Sequence, residues 1–302
     1  MTLGYSQLNS LKLLHKGKVR DIYDIDENSM LMVTTDRISA FDVIMNEPIP
    51  LKGQILNDIS KFWFNKLEKI VPNHILKKDP LDFVDSSEKD QIKNRSVVVK
   101  KLKPIPIEAI VRGYLIGSAW KEYKDQQSIC SINLPQGLQL SEKLPEPIFT
   151  PSSKADLGEH DENISLLECE DLIGKKISEE LNRISILLYE SAYIYAYSKG
   201  IIIADTKFEF GLDNENKIHI MDEILTPDSS RFWPKESYQI GISPPSYDKQ
   251  FVRDWLESTD WNKNFPPPKL PKNIISKTSE KYQDVFFKLT EKNNLWYLIY
   301  QN

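Results

Sequence analysis

Cysteine and histidine are scarce in this sequence of 302 residues. The two cysteines, Cys130 and Cys169, and the four histidines lack the spacing of zinc ligands, which argues against a disulfide framework and a transition-metal site. No window approaches the roughly 18 consecutive apolar residues of a membrane span, and the N-terminal segment lacks a basic region followed by an apolar stretch. We therefore expect a soluble, cytoplasmic protein with no membrane partner.

A global positive charge is also absent. Lys and Arg number 39 against 44 Asp and Glu, so the formal net charge is −5. Such a chain has no overall field to hold a nucleic-acid backbone, and we expect no nucleic-acid partner. Glycine is sparse as well, with 11 residues, where a share of about 7% is usual. Anionic ligands must therefore bind at local basic sites, and each glycine is informative.

The hydrophobic pattern indicates an α+β protein with two lobes. β-Branched and apolar residues alternate with polar ones over 11–35, which predicts three strands, and apolar residues at helical spacing follow over 53–71. Two prolines after residue 103 separate two further predicted strands and indicate a boundary between lobes. We therefore expect a β-rich N-terminal lobe at 1–103 and a larger α+β lobe at 104–302.

The second lobe is expected to hold one long loop, a hairpin and several helices. Turn residues and apolar spacing decide each assignment. The expected elements are a helix at 113–123, a loop at 125–163, one central helix at 169–199, a hairpin over 201–224, and helices near 246–257 and 278–291.

The segment HKGKVRDIY, residues 15–23, places Gly17 among Lys16, Lys18 and Arg20 between two predicted strands. A glycine lets the backbone approach an anion closely while the cations neutralise it. This suits the phosphates of a nucleotide, although an exposed hairpin turn with solvated charges is an equal alternative. Neither the P-loop motif nor the dinucleotide-binding motif is present.

The segment ADTKFEFG, residues 204–211, carries the strongest chemical signal. Alternation along a strand puts Asp205, Lys207 and Glu209 on one face and apolar side chains on the other. The partner strand ends in Asp222, so one hairpin brings two carboxylates, Glu209 and Asp222, together. Magnesium is held in proteins through a few acidic oxygens plus phosphates and water. A salt-bridged hairpin in which Lys207 neutralises its neighbours is the alternative.

Three further segments place cations beside small polar residues. LTPDSSRFWP, residues 225–234, offers Arg231 as a bidentate clamp for a phosphate or carboxylate, with serines as donors. VRGYLIGS, residues 111–118, sets Arg112 at an expected helix entrance, with Ser118 nearby. The segment 150–165 crowds Ser, Lys, Asp, Glu and His into one loop. Each of these could instead be an ordinary capped or solvated loop.

These segments, taken in order together with TDRISAFD at 35–42, resemble the phosphoribosylaminoimidazole-succinocarboxamide synthase (SAICAR synthetase) family over about residues 11–257. The resemblance implies a fold related to protein kinases and ATP-grasp enzymes, with ATP in a cleft between the lobes. It also implies a carbon–nitrogen ligase of de novo purine biosynthesis. This ligase joins L-aspartate to the carboxylate of carboxyaminoimidazole ribonucleotide (CAIR), consumes ATP with Mg²⁺ and releases ADP and phosphate.

The resemblance also implies roles for individual residues. Three groups bind ATP or Mg²⁺: Gly17, Lys18 and Arg20 around the ATP phosphates, Lys101 and Leu102 at the adenine hinge, and Glu209 and Asp222 on magnesium. The others serve the substrates: Arg112, Ser118, Ser230 and Arg231 on the ribonucleotide, Lys154 in a loop that closes over the substrates, and Asp205 and Lys207 at the reaction centre. The aspartate pocket is not placed, and we expect a monomer or a small homo-oligomer.

An acyl phosphate formed on the CAIR carboxylate is the implied intermediate, because a carboxylate is a poor electrophile towards an amine. Such an intermediate requires exclusion of water and alignment of the reactants. Two alternatives remain at this point. One is a small-molecule kinase that stops at phosphoryl transfer, although the HRDxxxxN and DFG motifs of protein kinases are absent. The other is a nucleotide-binding protein without catalytic activity.

Overall fold

The computed structural model of the chain describes residues 2–154, 162–247 and 249–291. Its strands are β1 (Lys12–Lys16), β2 (Arg20–Asp24), β3 (Ser29–Thr34), β4 (Ser39–Ala40), β5 (Val43–Ile44), β6 (Ser96–Lys100), β7 (Lys103–Pro104), β8 (Ile107–Tyr114), β9 (Ser128–Ile129), β10 (Ile132–Asn133), β11 (Lys143–Phe149), β12 (Ser152–Ser153), β13 (Glu162–Asn163), β14 (Ile201–Leu212), β15 (Ile218–Met221) and β16 (Ser230–Pro234). Its helices are α1 (Lys52–Leu67), α2 (Lys89–Ile92), α3 (Ser118–Gln126), α4 (Leu166–Ile173), α5 (Lys175–Ser198), α6 (Gln250–Glu257) and α7 (Lys272–Thr290), with 3₁₀ turns at Pro80–Phe83 and Lys235–Ser237.

The alternating residues at the start of the chain form the three strands that the sequence predicts. Strands β1, β2, β3 and β6 make an antiparallel sheet in that order. Leu31 and Val33 of β3 and Val98 of β6 are fully buried with Ile92 of α2. Gly17 lies in the turn between β1 and β2, where its N–H donates to the carbonyl of Arg20 at 2.7 Å. The β-rich start of the chain is confirmed.

A second antiparallel sheet is built around β14, the long strand that contains ADTKFEFG. Strand β14 pairs with β8, β15, β16 and β7, and β8 also pairs with β11 and β12. The apolar side chains of Phe208 and Phe210 are buried, whereas Lys207 and Glu209 alternate with them and stay partly exposed. The predicted hairpin and its two-faced strand are thus confirmed.

Helices α1, α5 and α7 bury the apolar face of the second sheet. Trp63 of α1, Leu188 of α5 and Phe286 of α7 belong to the same buried cluster as Phe208. Burial of apolar surface stabilises a fold by about 25 cal/mol per Å², so this cluster is the main source of stability. In the described part of the chain, no helix combines the length and apolarity needed to cross a membrane.

Three predictions about local structure were wrong. Residues 113 and 114 continue β8, and helix α3 begins at Ser118. The strand position at 113 is occupied by glycine because an added Cβ would lie 1.9 Å from the hydroxyl of Tyr189. The central helix is two helices, since Gly174 has a φ of 86°, which ends α4 before α5 begins. The described part of the expected loop at 125–163 contains short paired strands. Strand β9 pairs with β10 and β12 with β13, and β11 pairs with the more distant β8, a partner that the local sequence does not reveal. Residues 155–161 lie outside the described residues.

Candidate functional site

A cleft of about 560 Å³ lies between the first sheet and the exposed ends of the second. One wall comes from the turn between β1 and β2, with Gly17, Lys18 and Arg20. The opposite wall comes from β14 and the end of β15, with Lys207, Glu209 and Asp222. The turn and the hairpin, some 190 residues apart in sequence, therefore face each other across one cavity.

Lys207 and Glu209 form a network of charges on the exposed face of β14. The Nζ atom of Lys207 lies 2.6 Å from a carboxylate oxygen of Glu108 and 2.9 Å from one of Glu209. Lys154 donates to the other oxygen of Glu209 at 2.6 Å. Burial alone would lower the pKa of Lys207, but Glu209 and Glu108 raise it well above its usual value. Burial opposes ionisation of Glu209 too, yet Lys207 and Lys154 lower its pKa to about 2.

Asp222 behaves differently from Glu209. It follows β15 with a φ of 61°, a left-handed conformation that Asp tolerates better than most residues. Arg20 donates to Asp222 at 3.1 Å and to Glu223 at 2.6 Å. Burial nevertheless raises the pKa of Asp222 to about 6, with Glu209 and Glu223 adding to the effect against Arg20. A group of partly buried carboxylates is therefore short of positive charge at this point, which is the condition that a bound cation would relieve.

A second cavity of about 270 Å³ adjoins the cleft and is lined by Arg112, Ser118, Asp205 and Arg231. Arg112, in the interior of β8, donates to Thr150 at 2.9 Å and to Ser118 at 3.2 Å. Arg112 and Arg231 both form ion pairs with Asp205, so one carboxylate holds two guanidinium groups in place.

Gly117 makes room for the guanidinium group of Arg231. Its φ is 65°, and a Cβ added there would lie 2.6 Å from an Nη atom of Arg231. Ser230, next along β16, shares a 2.8 Å hydrogen bond with Thr206 of β14 and also lines this cavity. The cavity therefore presents cationic side chains that are fixed in position, an arrangement that suits an anion.

The two cavities share one wall. The side chains that line both are Glu108, Lys207, Asp228, Lys249 and Arg253. Among described residues, the smaller cavity has five cationic side chains against three carboxylates, whereas the larger cleft has six carboxylates against five Lys and Arg. The smaller cavity thus suits a free anion, and the cleft suits an anion that arrives with a cation.

Comparison with known proteins identifies this arrangement. The family model described as SAICAR synthetase matches residues 13–268. The phosphoribosylaminoimidazole-succinocarboxamide synthase of Methylobacillus flagellatus is 58% identical over 291 residues, which is 96% of this chain and 98% of that protein. The chain belongs to the SAICAR synthetase family. It therefore catalyses the ATP-dependent ligation of L-aspartate to CAIR in purine biosynthesis.

Solved structures of SAICAR synthetases share the fold. The SAICAR synthase of Saccharomyces cerevisiae complexed with SAICAR superposes with a TM-score of 0.90 at 44% identity, covering 97% of this chain and 99% of that one. A SAICAR synthetase in complex with ADP is 24% identical and has a TM-score of 0.70 over 93% of this chain and 99% of that one, which supports the fold alone. The mixed α+β fold with antiparallel sheets is confirmed.

Most residues that the resemblance to SAICAR synthetases singled out converge on the two cavities. Gly17, Lys18, Arg20, Lys207, Glu209 and Asp222 line the cleft, and Arg112, Ser118, Asp205, Ser230 and Arg231 line the smaller cavity. Arg112 is not at a helix entrance as expected, because its strand continues to residue 114. Lys18 forms an ion pair with Asp42 across the mouth of the cleft. The individual roles of these residues stay predictions.

Lys101 and Leu102 do not line the cleft. They line a separate cavity of about 480 Å³, and Lys101 forms a 2.6 Å ion pair with Asp24. Leu102 does pack closely on the hairpin, since an added Cβ at Gly211 would lie 2.9 Å from its Cβ. Their place at an adenine hinge stays a prediction. Lys154 contacts the cleft through its ion pair with Glu209. The residues that follow Lys154 in the expected closing loop lie outside the described residues.

Sequence reasoning missed several residues of the shared wall. Glu108 faces Lys207 from β8, and Lys249 and Arg253 come from the start of α6. No motif marks them, because a lone charged residue in a strand or helix looks like a solvated side chain. Asp228 lies within the segment LTPDSSRFWP, but nothing in that segment marks it as part of a cavity wall. Its ion pair with the fully buried Lys52 at 2.6 Å could be inferred only from the fold.

Proposed function

We propose that the larger cleft binds the ATP phosphates with Mg²⁺ and that the smaller cavity binds CAIR. The phosphoryl group is then transferred where the two cavities meet. The observation that carries this proposal is the common lining of the two cavities, which includes Lys207 and Glu108. Reactants bound in two cavities that meet at the same residues can be aligned for direct transfer, and such alignment supplies a large part of the rate enhancement.

The ATP phosphates are expected to lie between the turn of Gly17 and the face of β14. Gly17 permits close approach of the backbone, and Lys18 and Arg20 supply positive charge on one side while Lys207 supplies it on the other. We also propose that the chain divides into lobes at 1–103 and 104–302, with ATP between them. The relation of the fold to protein kinases and ATP-grasp enzymes is part of the same proposal.

Glu209 and Asp222 are the residues that would hold Mg²⁺. Their oxygens are the donors that magnesium prefers, and the charge-poor surroundings of Asp222 fit a cation. Among the residues that the structure describes, no cluster of three or more ligating side chains exists. We propose that two carboxylates hold the metal together with phosphate oxygens and water. When bound, Mg²⁺ neutralises charge on the transferred phosphoryl group.

Arg112, Ser118, Ser230 and Arg231 would bind the anionic groups of CAIR. Asp205 holds both guanidinium groups in place, so the cost of ordering them is met before the substrate arrives. Lys207 stays protonated because of Glu209 and Glu108, and it acts as a fixed positive charge at the point of transfer. Lys154, beside Glu209, would bring its loop over the bound substrates. Exclusion of water by such a loop protects a labile acyl phosphate.

The chemistry follows from these positions. An oxygen of the CAIR carboxylate attacks the γ-phosphorus, the bond to ADP breaks, and the amine of aspartate then attacks the acyl carbon. Phosphate leaves with the carboxylate oxygen, and the amine loses a proton. CAIR labelled with ¹⁸O in its carboxylate should therefore yield phosphate that contains one ¹⁸O atom. Unlabelled phosphate would refute the acyl phosphate.

The assignment of the two cavities has its own test. Replacing Arg231 by Ala removes a charged donor to CAIR, so Arg231→Ala should raise the KM for CAIR about 10- to 100-fold and leave the KM for ATP unchanged. Arg183→Ala is the control, because Arg183 is an exposed arginine that forms an ion pair with Glu180 of its own helix. A raised KM for ATP with an unchanged KM for CAIR would mean that the two cavities are exchanged.

A further inference from the structure

Helix α7 supplies a side chain to the wall between the two cavities. The helix spans Lys272–Thr290 and so lies beyond residue 268, where the match to the family model ends. Tyr282, at its centre, is fully buried, and its hydroxyl donates to Oδ1 of Asp228 at 2.6 Å. The helix thus contacts a residue that lines both cavities.

The carboxylate of Asp228 is held from two sides. Lys52, the first residue of α1 and fully buried, donates to Oδ2 at 2.6 Å, while Tyr282 donates to Oδ1. The ammonium group of Lys52 also lies 5.5 Å from the ring centroid of Tyr282. One donor on each oxygen prevents rotation of the carboxylate, which a single donor would not do. A carboxylate that is only 6% exposed needs such partners, because an unpaired buried charge is costly.

Asp228 in turn faces Lys249, whose side chain lines both cavities. Asp228 and Lys249 interact electrostatically, and Lys52, Arg253 and Glu223 also act on Lys249. The position of the Asp228 carboxylate therefore influences a positive charge at the place where the phosphoryl group would cross. A change there is expected to affect the transfer step, which kcat reports.

We propose that Tyr282 is a positioning residue of the active site, which acts by fixing the carboxylate of Asp228 in the wall between the cavities. The inference deepens the proposed function, because it rests on the assignment of the two cavities. Helix α7 is then a part of the catalytic architecture as well as a cover for the apolar core.

The first test replaces the hydroxyl alone. Tyr282→Phe keeps the buried ring, and kcat should fall about 10- to 100-fold because a small misplacement at a reaction centre has effects of this size. The KM values for ATP, CAIR and aspartate should stay within about threefold of the unaltered enzyme.

Two controls weaken the docking of α7 without touching Asp228. Tyr195→Phe removes a 2.7 Å hydrogen bond to the carbonyl of Leu289, and Ser279→Ala removes a 2.8 Å bond to the carbonyl of Pro50. Both should leave kcat within about twofold of the unaltered enzyme. An equal loss of kcat in these controls, or an unchanged kcat in Tyr282→Phe, would overturn the proposal.

A double variant separates action through Asp228 from a merely structural role. If Tyr282 acts through that carboxylate, adding Tyr282→Phe to Asp228→Asn lowers kcat no further, whereas independent roles give additive losses. Should Tyr282→Phe fail to fold, Asp228→Asn alone still tests the proposal, because an unchanged kcat in that variant would overturn it. A double variant with several-fold lower kcat than Asp228→Asn contradicts the proposal. The KM values of Arg231→Ala test the assignment of the two cavities independently of Tyr282, so failure of the proposed function and failure of this inference are distinguishable.

Discussion

Replacing Asp222 by Asn should stabilise the protein at neutral pH in the absence of nucleotide and metal. The pKa of Asp222 is raised from its ordinary 3.8 to about 6, mainly because the carboxyl group is buried. Between these two values the folded chain holds a proton that the unfolded chain has lost, so stability declines as pH rises through this window. An amide does not titrate, and Asp222→Asn does not undergo this decline.

The difference between the two pKa values corresponds to a loss of roughly 3 kcal/mol in the free energy of unfolding at neutral pH. For a protein of this size that amounts to about 5 °C in Tm. The Asn oxygen can still accept from Arg20, which also keeps its 2.6 Å ion pair with Glu223. The stability that Asp222→Asn gains over the unaltered protein should therefore be close to zero near pH 4, increase up to about pH 6 and remain constant above that pH.

Thermal melts of both proteins between pH 4 and pH 8, without Mg²⁺ or nucleotide, measure this difference. Asp228→Asn is the matched control with the opposite sign. Burial disfavours ionisation of Asp228 as well, but Lys52 and Lys249 lower the pKa of this carboxyl group below its ordinary value. Loss of the Asp228 carboxylate should therefore destabilise the protein at neutral pH. If Asp222→Asn melts at or below the temperature of the unaltered protein at pH 8, the account of Asp222 is wrong.

Two further substitutions test the site itself. Lys207→Met should lower kcat at least about 100-fold while the circular dichroism spectrum is unchanged, because Lys207 supplies a fixed charge at the point of transfer; full turnover would exclude that role. Gly117→Ala should raise the KM for CAIR and not that for ATP, since the new Cβ would meet Arg231 at 2.6 Å. Gly137→Ala is its control, because Gly137 also has a positive φ, 82°, but nothing lies within 4 Å of its added Cβ. Equal KM values for CAIR in these two glycine variants would contradict the proposed role of Arg231.

The sequence was most informative where local pattern and chemistry coincide. Alternation along β14 predicted that Lys207 and Glu209 share a face, and the hairpin brought Asp222 to the same cleft. It was least informative where distant contacts override local signals. Gly113 looks like the start of a helix, but the hydroxyl of Tyr189, on a helix far along the chain, explains why a glycine continues the strand there.

The wall between the cavities could not be predicted for a related reason. Lys52, Asp228 and Tyr282 come from three segments with no common motif, and only the fold brings them together. Each one reads from the sequence as an ordinary residue of a helix or a turn. Burial makes the contacts between these polar side chains significant for the site. Burial of a single position cannot be inferred from a sequence without its tertiary neighbours.

The ion pairs of Glu209 have a consequence for the order in which ligands enter. Lys154 and Lys207 already serve as its counter-ions, at 2.6 and 2.9 Å. A divalent ion that approaches Glu209 alone must compete with two ammonium groups, although Lys207 also has Glu108 as a counter-ion at 2.6 Å. An incoming triphosphate offers those groups new anionic partners and releases the carboxylate. Exchange of counter-ions thus couples the two ligands, and metal and nucleotide gain more by entering together than either gains alone.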